Sequence, residues 1–280
     1  MKKGINRWSM PADWSIEKCI AEAGNAGFQG VELVLEETGE LSLESDERQL
    51  KAIGEMARKA GIELKSLATG LFWKYPLSAR DPKVQEKAKE IVVKALTAAQ
   101  WLGADTILVV PGVVAAPFAA SERVPYQEVW DRSLGALREL APEAEKRSVH
   151  IGIENVWNRF LLSPIEMREF IDAVGSDYVG AYFDVGNVLL YGFPEDWIRI
   201  LGFRIKKVHF KDFRISVGTL DGFVNLLAGD VNWPEVMTAF AEIGYADYVY
   251  AELTPYRYHS AALIDDISRA MDWIMRGRGV

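Results

Sequence analysis

Two hydrophobic rhythms alternate along the chain. Short apolar stretches with a two-residue period are each followed by a longer segment with helical spacing, and the pair recurs eight times. The period-two segments predict strands over 4–9, 30–35, 62–67, 105–111, 150–155, 179–184, 205–209 and 247–252. The intervening segments predict helices over 15–27, 46–60, 81–102, 126–146, 163–175, 194–201, 233–244 and 260–276. Helix punctuation supports these boundaries. Ser15, Asp46, Asp81-Pro82 and Ser260 read as N-caps, Ser163-Pro-Ile-Glu166 as a capping box, and Gly27, Gly61, Gly103, Gly175, Gly202 and Gly244 as stops. Two loops stand out: an aromatic one over 70–76 and a longer, glycine-bearing one over 211–232, expected to cover one end of the fold.

Strict strand–helix alternation implies a parallel sheet, and eight units in 280 residues imply a closed α/β barrel, the (β/α)8 or TIM fold, as one domain over 1–280. An open doubly wound sheet is the alternative. It would place a glycine-rich phosphate turn after its first strand, and Asn6-Arg-Trp-Ser-Met10 has no glycine.

Charge and cysteine content narrow the function classes. The net charge of -8 argues against nucleic-acid binding, which needs a basic stripe. The one cysteine, Cys19, lies on the apolar face of a predicted helix and fits a reducing compartment. The basic N-terminus lacks the apolar region of a signal peptide, and no apolar run is long enough for a membrane span. A cytoplasmic protein is expected.

The chemistry is concentrated at strand ends. Counting back from Asp184, Tyr182 and Gly180 share its side of the strand while Phe183, Ala181 and Val179 face the helices. The strands carrying Glu154, His209 and Glu252 repeat the design, with outward Ile151 and Ile153, Val208, and Val249 and Ala251. Four successive strands thus deliver one inward ligand each at the C-terminal face, where barrel active sites sit. Three carboxylates and one imidazole suit a hard divalent ion, Mn²⁺, Mg²⁺ or Co²⁺, more than structural zinc. Four separate salt bridges or helix-capping acids are the plainer explanation, and the shared inward phase argues against it.

The motifs Glu154-Asn-Val-Trp-Asn158, Phe183-Asp-Val-Gly-Asn187, Val208-His-Phe-Lys-Asp212, Gly229-Asp-Val-Asn-Trp233 and the final Glu252 resemble the sugar-phosphate isomerase/epimerase members of the xylose-isomerase-like barrel superfamily. The likeness spans the whole chain and is to L-xylulose and L-ribulose 5-phosphate 3-epimerases and to ketose 3-epimerases. It implies one divalent metal, Mn²⁺ before Mg²⁺, Co²⁺ or Zn²⁺, held by Glu154, Asp184, His209 and Glu252, with Glu154 and Glu252 as the acid/base pair. A metal that chelates the ketone and a neighbouring hydroxyl would stabilise the cis-enediolate, and two carboxylates on opposite faces would move the proton.

Weaker substrate-binding candidates surround that set. Glu32 has inward parity and reads either as a hydroxyl ligand or as the partner of Lys65 or Lys207. Lys211 and Arg214 are placed to meet a substrate oxygen or phosphate, or are ordinary exposed loop cations. Trp157, Phe72, Trp73 and Phe118 suggest an apolar wall, and His150 and His259 read as an interior and a surface histidine. Asn187 stands where tagatose-type epimerases place a histidine; asparagine can hydrogen-bond a sugar hydroxyl but cannot carry a proton, so their substrate does not carry over by resemblance alone.

A small-molecule sugar or sugar phosphate is therefore the expected partner, with no nucleic acid and no membrane. Aromatics near the loops are compatible with a homodimer. The rival reactions are inosose dehydration and hydroxypyruvate or aldose–ketose isomerisation on the same metal site. An endonuclease IV-type phosphodiesterase would need many more than the three histidines present. A non-catalytic sugar-binding relative would not need the intact ligands.

Overall fold

The computed structural model describes residues 1–118 and 122–276. Its core is a closed barrel of eight parallel strands: β1 (Lys2–Asn6), β2 (Gly30–Val34), β3 (Ser66–Ala68), β4 (Thr106–Val109), β5 (His150–Glu154), β6 (Val179–Asp184), β7 (Ile205–Phe210) and β8 (Tyr248–Ala251). Neighbours in sequence pair in space, and β1 closes the ring against β8. Eight helices cover it: α1 (Ile16–Asn25), α2 (Glu47–Lys59), α3 (Pro82–Leu102), α4 (Tyr126–Arg147), α5 (Pro164–Val174), α6 (Pro194–Leu201), α7 (Trp233–Glu242) and α8 (Ala262–Met275). Among the described residues no helix is long and apolar enough to cross a membrane.

The caps act through their side chains. The Ser15 hydroxyl accepts from Lys18 N, Asp46 and Gln49 form a reciprocal capping box, and Asp81 accepts from Lys83 N ahead of Pro82. Gly103 and Gly175 close α3 and α5 in the left-handed conformation, at φ 85° and 80°. Ser260 does not cap the last helix: α8 starts one turn-step later, behind Ala261, without a side-chain cap. β1 also ends earlier than its apolar pattern, because the Asn6 side chain accepts from Trp8 N and folds Arg7–Ser9 into a 3-10 turn. β3 is shorter than predicted. Gly30 pairs with Glu63 but Leu33 with Leu67, so one extra residue interrupts the ladder.

Outward-facing Ile151, Ile153, Phe183, Val208 and Val249 are fully buried under the helices. The barrel interior is polar and aromatic instead. Tyr182 and Tyr250 lie flat within it, and glycines make the room: a Cβ on Gly4 would come within 2.3 Å of the Tyr250 ring. At the base Lys207 is clamped by Asp105 and Asp247, each at 2.6 Å, so it is not the partner of Glu32. His150 lies near this end, its Nδ1 3.2 Å from the Asp105 carbonyl and its ring stacked on Tyr178; His259 is exposed.

The segment after β7 forms a roof over the opposite end. Asp212–Phe213 pairs antiparallel with Phe223–Val224, and a 3-10 turn at Leu220–Gly222 lies between them.

Candidate metal centre

The register of the barrel sets the four strand-end residues side by side. β5 and β6 pair Glu154 with Tyr182. A one-residue irregularity between Ala181 and Tyr182 then lets β6 and β7 pair Asp184 with His209. Without that shift His209 would miss the level of Asp184. One ligand atom from each of Glu154, Asp184, His209 and Glu252 lies within 4.8 Å of the others.

Asp184 Oδ2, His209 Nδ1 and Glu252 Oε2 are buried without a well-aligned hydrogen bond, although the Lys211 ammonium lies 3.0 Å from Asp184 Oδ2. His209 Nδ1 and Glu252 Oε2 approach to 2.8 Å, yet the alignment of a hydrogen bond is missing. Four ligand atoms gathered within 4.8 Å of one another at buried strand ends are what a shared cation requires. A buried polar atom left unsatisfied costs about 1–3 kcal/mol. Three oxygens and one imidazole nitrogen fit a divalent ion of hard or borderline character.

The remaining atoms are held in place. His209 Nε2 lies 2.6 Å from Glu32 Oε2. Asp184 is gripped by Asn155, whose Oδ1 accepts from Asp184 N at 2.8 Å and whose Nδ2 donates to Asp184 O at 2.7 Å. Asp184 Oδ1 accepts from Asn187 N at 2.9 Å. Lys211 Nζ places a cation 3.0 Å from Asp184 Oδ2 and 3.1 Å from Glu252 Oε1.

Burial pushes the Glu154 and Asp184 carboxyls above their ordinary range. It would do the same to Glu252, but Lys211 and His209 pull that carboxyl down to about 2. Burial alone would lower His209. Glu32 and Glu252 outweigh it and hold the imidazole well above its usual value. Lys211 is likewise raised, by Asp184 and Glu252 against desolvation.

A cavity of about 260 Å³ opens on the cluster. Glu154, Glu252, Lys211 and Asn187 supply its polar wall. Trp157, Trp73, Phe118 and Phe223 line the rest, with Trp73 and Phe118 edge to face at 4.6 Å and Trp157 against Phe223 at 5.2 Å. Trp157 is also pinned by its Nε1 to the Asn187 carbonyl at 2.9 Å.

Three sequence expectations change. Glu32 is fully buried beneath the cluster and lines no cavity; Asn6, Ser66, Tyr182 and His209 occupy its oxygens, which leaves none for a sugar hydroxyl. Arg214 is exposed and donates to the Ala228 carbonyl at 2.8 Å, turned away from the cavity because the roof ribbon reverses there. Phe72 is buried in the core rather than in the cavity wall. Conversely, the sequence reading passed over Asn155, Asp212 and Trp8. Asn155 adjoins Glu154, Trp8 lines the cavity, and the fully buried Asp212 holds the roof. Asn155 and Asp212 lie inside motifs quoted from the sequence, but no periodicity gave either a direction.

Comparison with known proteins gives a consistent result. The family model described as "Xylose isomerase-like TIM barrel" matches residues 20–276. A putative L-ribulose-5-phosphate 3-epimerase of Escherichia coli K12 is 26% identical, over 78% of this chain and 76% of its own length. An inosose dehydratase of Bacillus cereus is 25% identical, over 74% of this chain and 66% of its own length. Among solved structures, a D-psicose 3-epimerase superposes with a TM-score of 0.80 at 20% identity, covering 98% of both chains. A zinc-bound IOLI protein superposes with a TM-score of 0.74 at 19% identity, also covering 98% of both.

Proposed function

The chain belongs to the xylose isomerase-like TIM barrel family, and from that premise we propose that it is an isomerase, a divalent-metal-dependent 3-epimerase of a ketose or ketose phosphate. The observation that carries this reading is the convergence of one ligand atom each from Glu154, Asp184, His209 and Glu252 within 4.8 Å of one another at the buried strand ends. Those four residues would hold the metal. The zinc in the related barrel structure and the oxygen-rich donor set support a divalent ion, with Mn²⁺ the expected one. Once bound, the ion would polarise the ketone and offset the charge of the enediolate.

The protein groups do the rest. Glu154 and Glu252 come from strand ends three apart around the ring and reach the cavity from different sides, so one takes the proton next to the ketone and the other returns one to the opposite face. Lys211 lines the same cavity and can meet negative charge developing on the substrate. Asn187, with its Nδ2 spent on the Asn155 carbonyl, offers a hydroxyl contact but no transferable proton. The aromatic wall keeps water from the carbanion-like carbon, and the cavity has room for a small sugar.

A second reading, dehydration of an inosose, is favoured by the Bacillus relative and starts with the same proton removal. Product analysis separates them. Chromatography of candidate ketoses and ketose 5-phosphates incubated with Mn²⁺ and the protein should yield the C3 epimer. An unsaturated, ultraviolet-absorbing product from an inosose, with no epimer from any ketose, would replace the first reading with the second.

A further inference from the structure

Glu32 accepts from four donors and takes no part in the chemistry outlined above. It lies on β2, across the barrel from β7, with no measurable exposure. Four donors converge on its two oxygens: Asn6 Nδ2, Ser66 Oγ, the Tyr182 hydroxyl and His209 Nε2. Its partners are fixed in turn. Asn6 accepts from Trp8 N at 2.7 Å, and the Tyr182 and Ser66 hydroxyls lie 3.0 Å apart. Lys207, a buried amine of the interior, is committed to Asp105 and Asp247 at the base. The carboxylate charge of Glu32 is therefore not balanced by a lysine; it is directed at His209.

An imidazole in its neutral form carries one proton, and the nitrogen that holds it cannot bind a metal. A carboxylate at 2.6 Å that already accepts three other hydrogen bonds can only accept from Nε2. The proton is thereby kept on Nε2, and the lone pair is presented by Nδ1, the atom that faces Glu154, Asp184 and Glu252. Tyr182 also packs on the imidazole face at 4.6 Å, which restrains the ring.

We propose that Glu32 is a positioning residue that sets the tautomer and the ring orientation of His209, and so makes the metal centre competent; this rests on the metal reading given above. Carboxylates in this relation to a metal-binding histidine typically contribute 10–100-fold in metal affinity. Removing the charge has a specific consequence. In Glu32→Gln the new amide can donate to Nε2, which moves the proton to Nδ1 and closes the ligand position.

Two measurements test this. Calorimetric titration of chelator-treated protein with Mn²⁺ should give an affinity at least about tenfold weaker in Glu32→Gln than in the native chain, and less than about threefold weaker in Tyr182→Phe, which removes a hydrogen bond to Glu32 but not the carboxylate. For a Glu32→Gln protein that fails to fold, ¹⁵N–¹H spectra of ¹⁵N-histidine-labelled native protein loaded with diamagnetic Zn²⁺ provide the second arm. His209 should then show a solvent-protected proton on Nε2 and an unprotonated Nδ1. Equal Mn²⁺ affinity in Glu32→Gln would overturn the proposal while leaving the metal reading intact; a proton on Nδ1 in the loaded native protein would overturn the proposal and also remove His209 from the ligand set. Absence of any Mn²⁺ binding by the native chain would overturn both.

Discussion

Asp212 gives the sharpest mechanical prediction. It follows Lys211 directly and is fully buried at the root of the roof. Oδ1 accepts from Phe213 N at 2.9 Å and Val231 N at 3.2 Å; Oδ2 accepts from Leu227 N at 2.9 Å and Trp233 Nε1 at 3.1 Å. The fit is so close that a Cβ on Gly229 would lie 2.1 Å from Oδ1. Asp212→Asn keeps the shape but turns one oxygen into a donor. In either amide orientation two accepted bonds are lost and an N–H is aimed at other N–H groups. Hydrogen bonds to a charged group contribute about 1.5–3 kcal/mol each, so the roof loses roughly 3–6 kcal/mol. Asp212 ties both ends of the ribbon that carries Leu220 and Phe223 to the cavity, whereas the barrel has its own core, so the loss should be local. Hydrogen exchange over residues 212–231 should rise by orders of magnitude while the β4–β7 amides stay protected. The KM for whichever ketose is turned over should rise about tenfold, the equivalent of about 1.4 kcal/mol of binding. Native-like protection over 212–231 together with an unchanged KM would refute the reasoning.

Other consequences follow from the same geometry. Chelation should lower the melting temperature: an ion at 100 times its Kd adds about 2.7 kcal/mol, or roughly 5 °C for a chain of this size, measurable by differential scanning fluorimetry with and without Mn²⁺. Metal binding should weaken as the pH falls, because the raised His209, Glu154 and Asp184 must each be free of protons to act as ligands. Calorimetry in buffers of different ionisation enthalpy should accordingly record proton release on binding. Gly186→Ala would bring a Cβ within 2.6 Å of the Lys211 Cβ, at the turn that follows Asp184. A folded protein with at least about tenfold lower kcat/KM is expected, since a small displacement of positioning groups has that scale of effect. Arg214→Ala should leave kcat/KM within about twofold, as expected for a surface side chain whose one contact is a loop carbonyl.

The barrel and the four-residue cluster were legible because both depend on local period. Parity along a strand decides which side chains face inward, and Asp184 or Glu252 is read from a handful of neighbours. Caps at Ser15, Asp46 and Asp81 are equally local and were readable for the same reason. What escaped were relations over long distance. The parity of Glu32 was correct, but its partner lies 177 residues away on β7, and nothing in the sequence distinguishes that imidazole from Lys65 or Lys207. Arg214 failed for a related reason: a two-strand ribbon reverses the chain next to it, and loop cations have no period from which to infer a direction. Asp212 resembles an ordinary surface acid until the roof folds around it.

The most direct test of the central claim is proton exchange at the carbon next to the ketone, followed by ¹H NMR in D₂O over a panel of ketoses and ketose 5-phosphates. The account predicts that one substrate loses this signal with the native protein and Mn²⁺. The signal should persist after chelation, and also in Asp184→Asn. Exchange that survives both chelation and Asp184→Asn would contradict a reaction built on these four ligands.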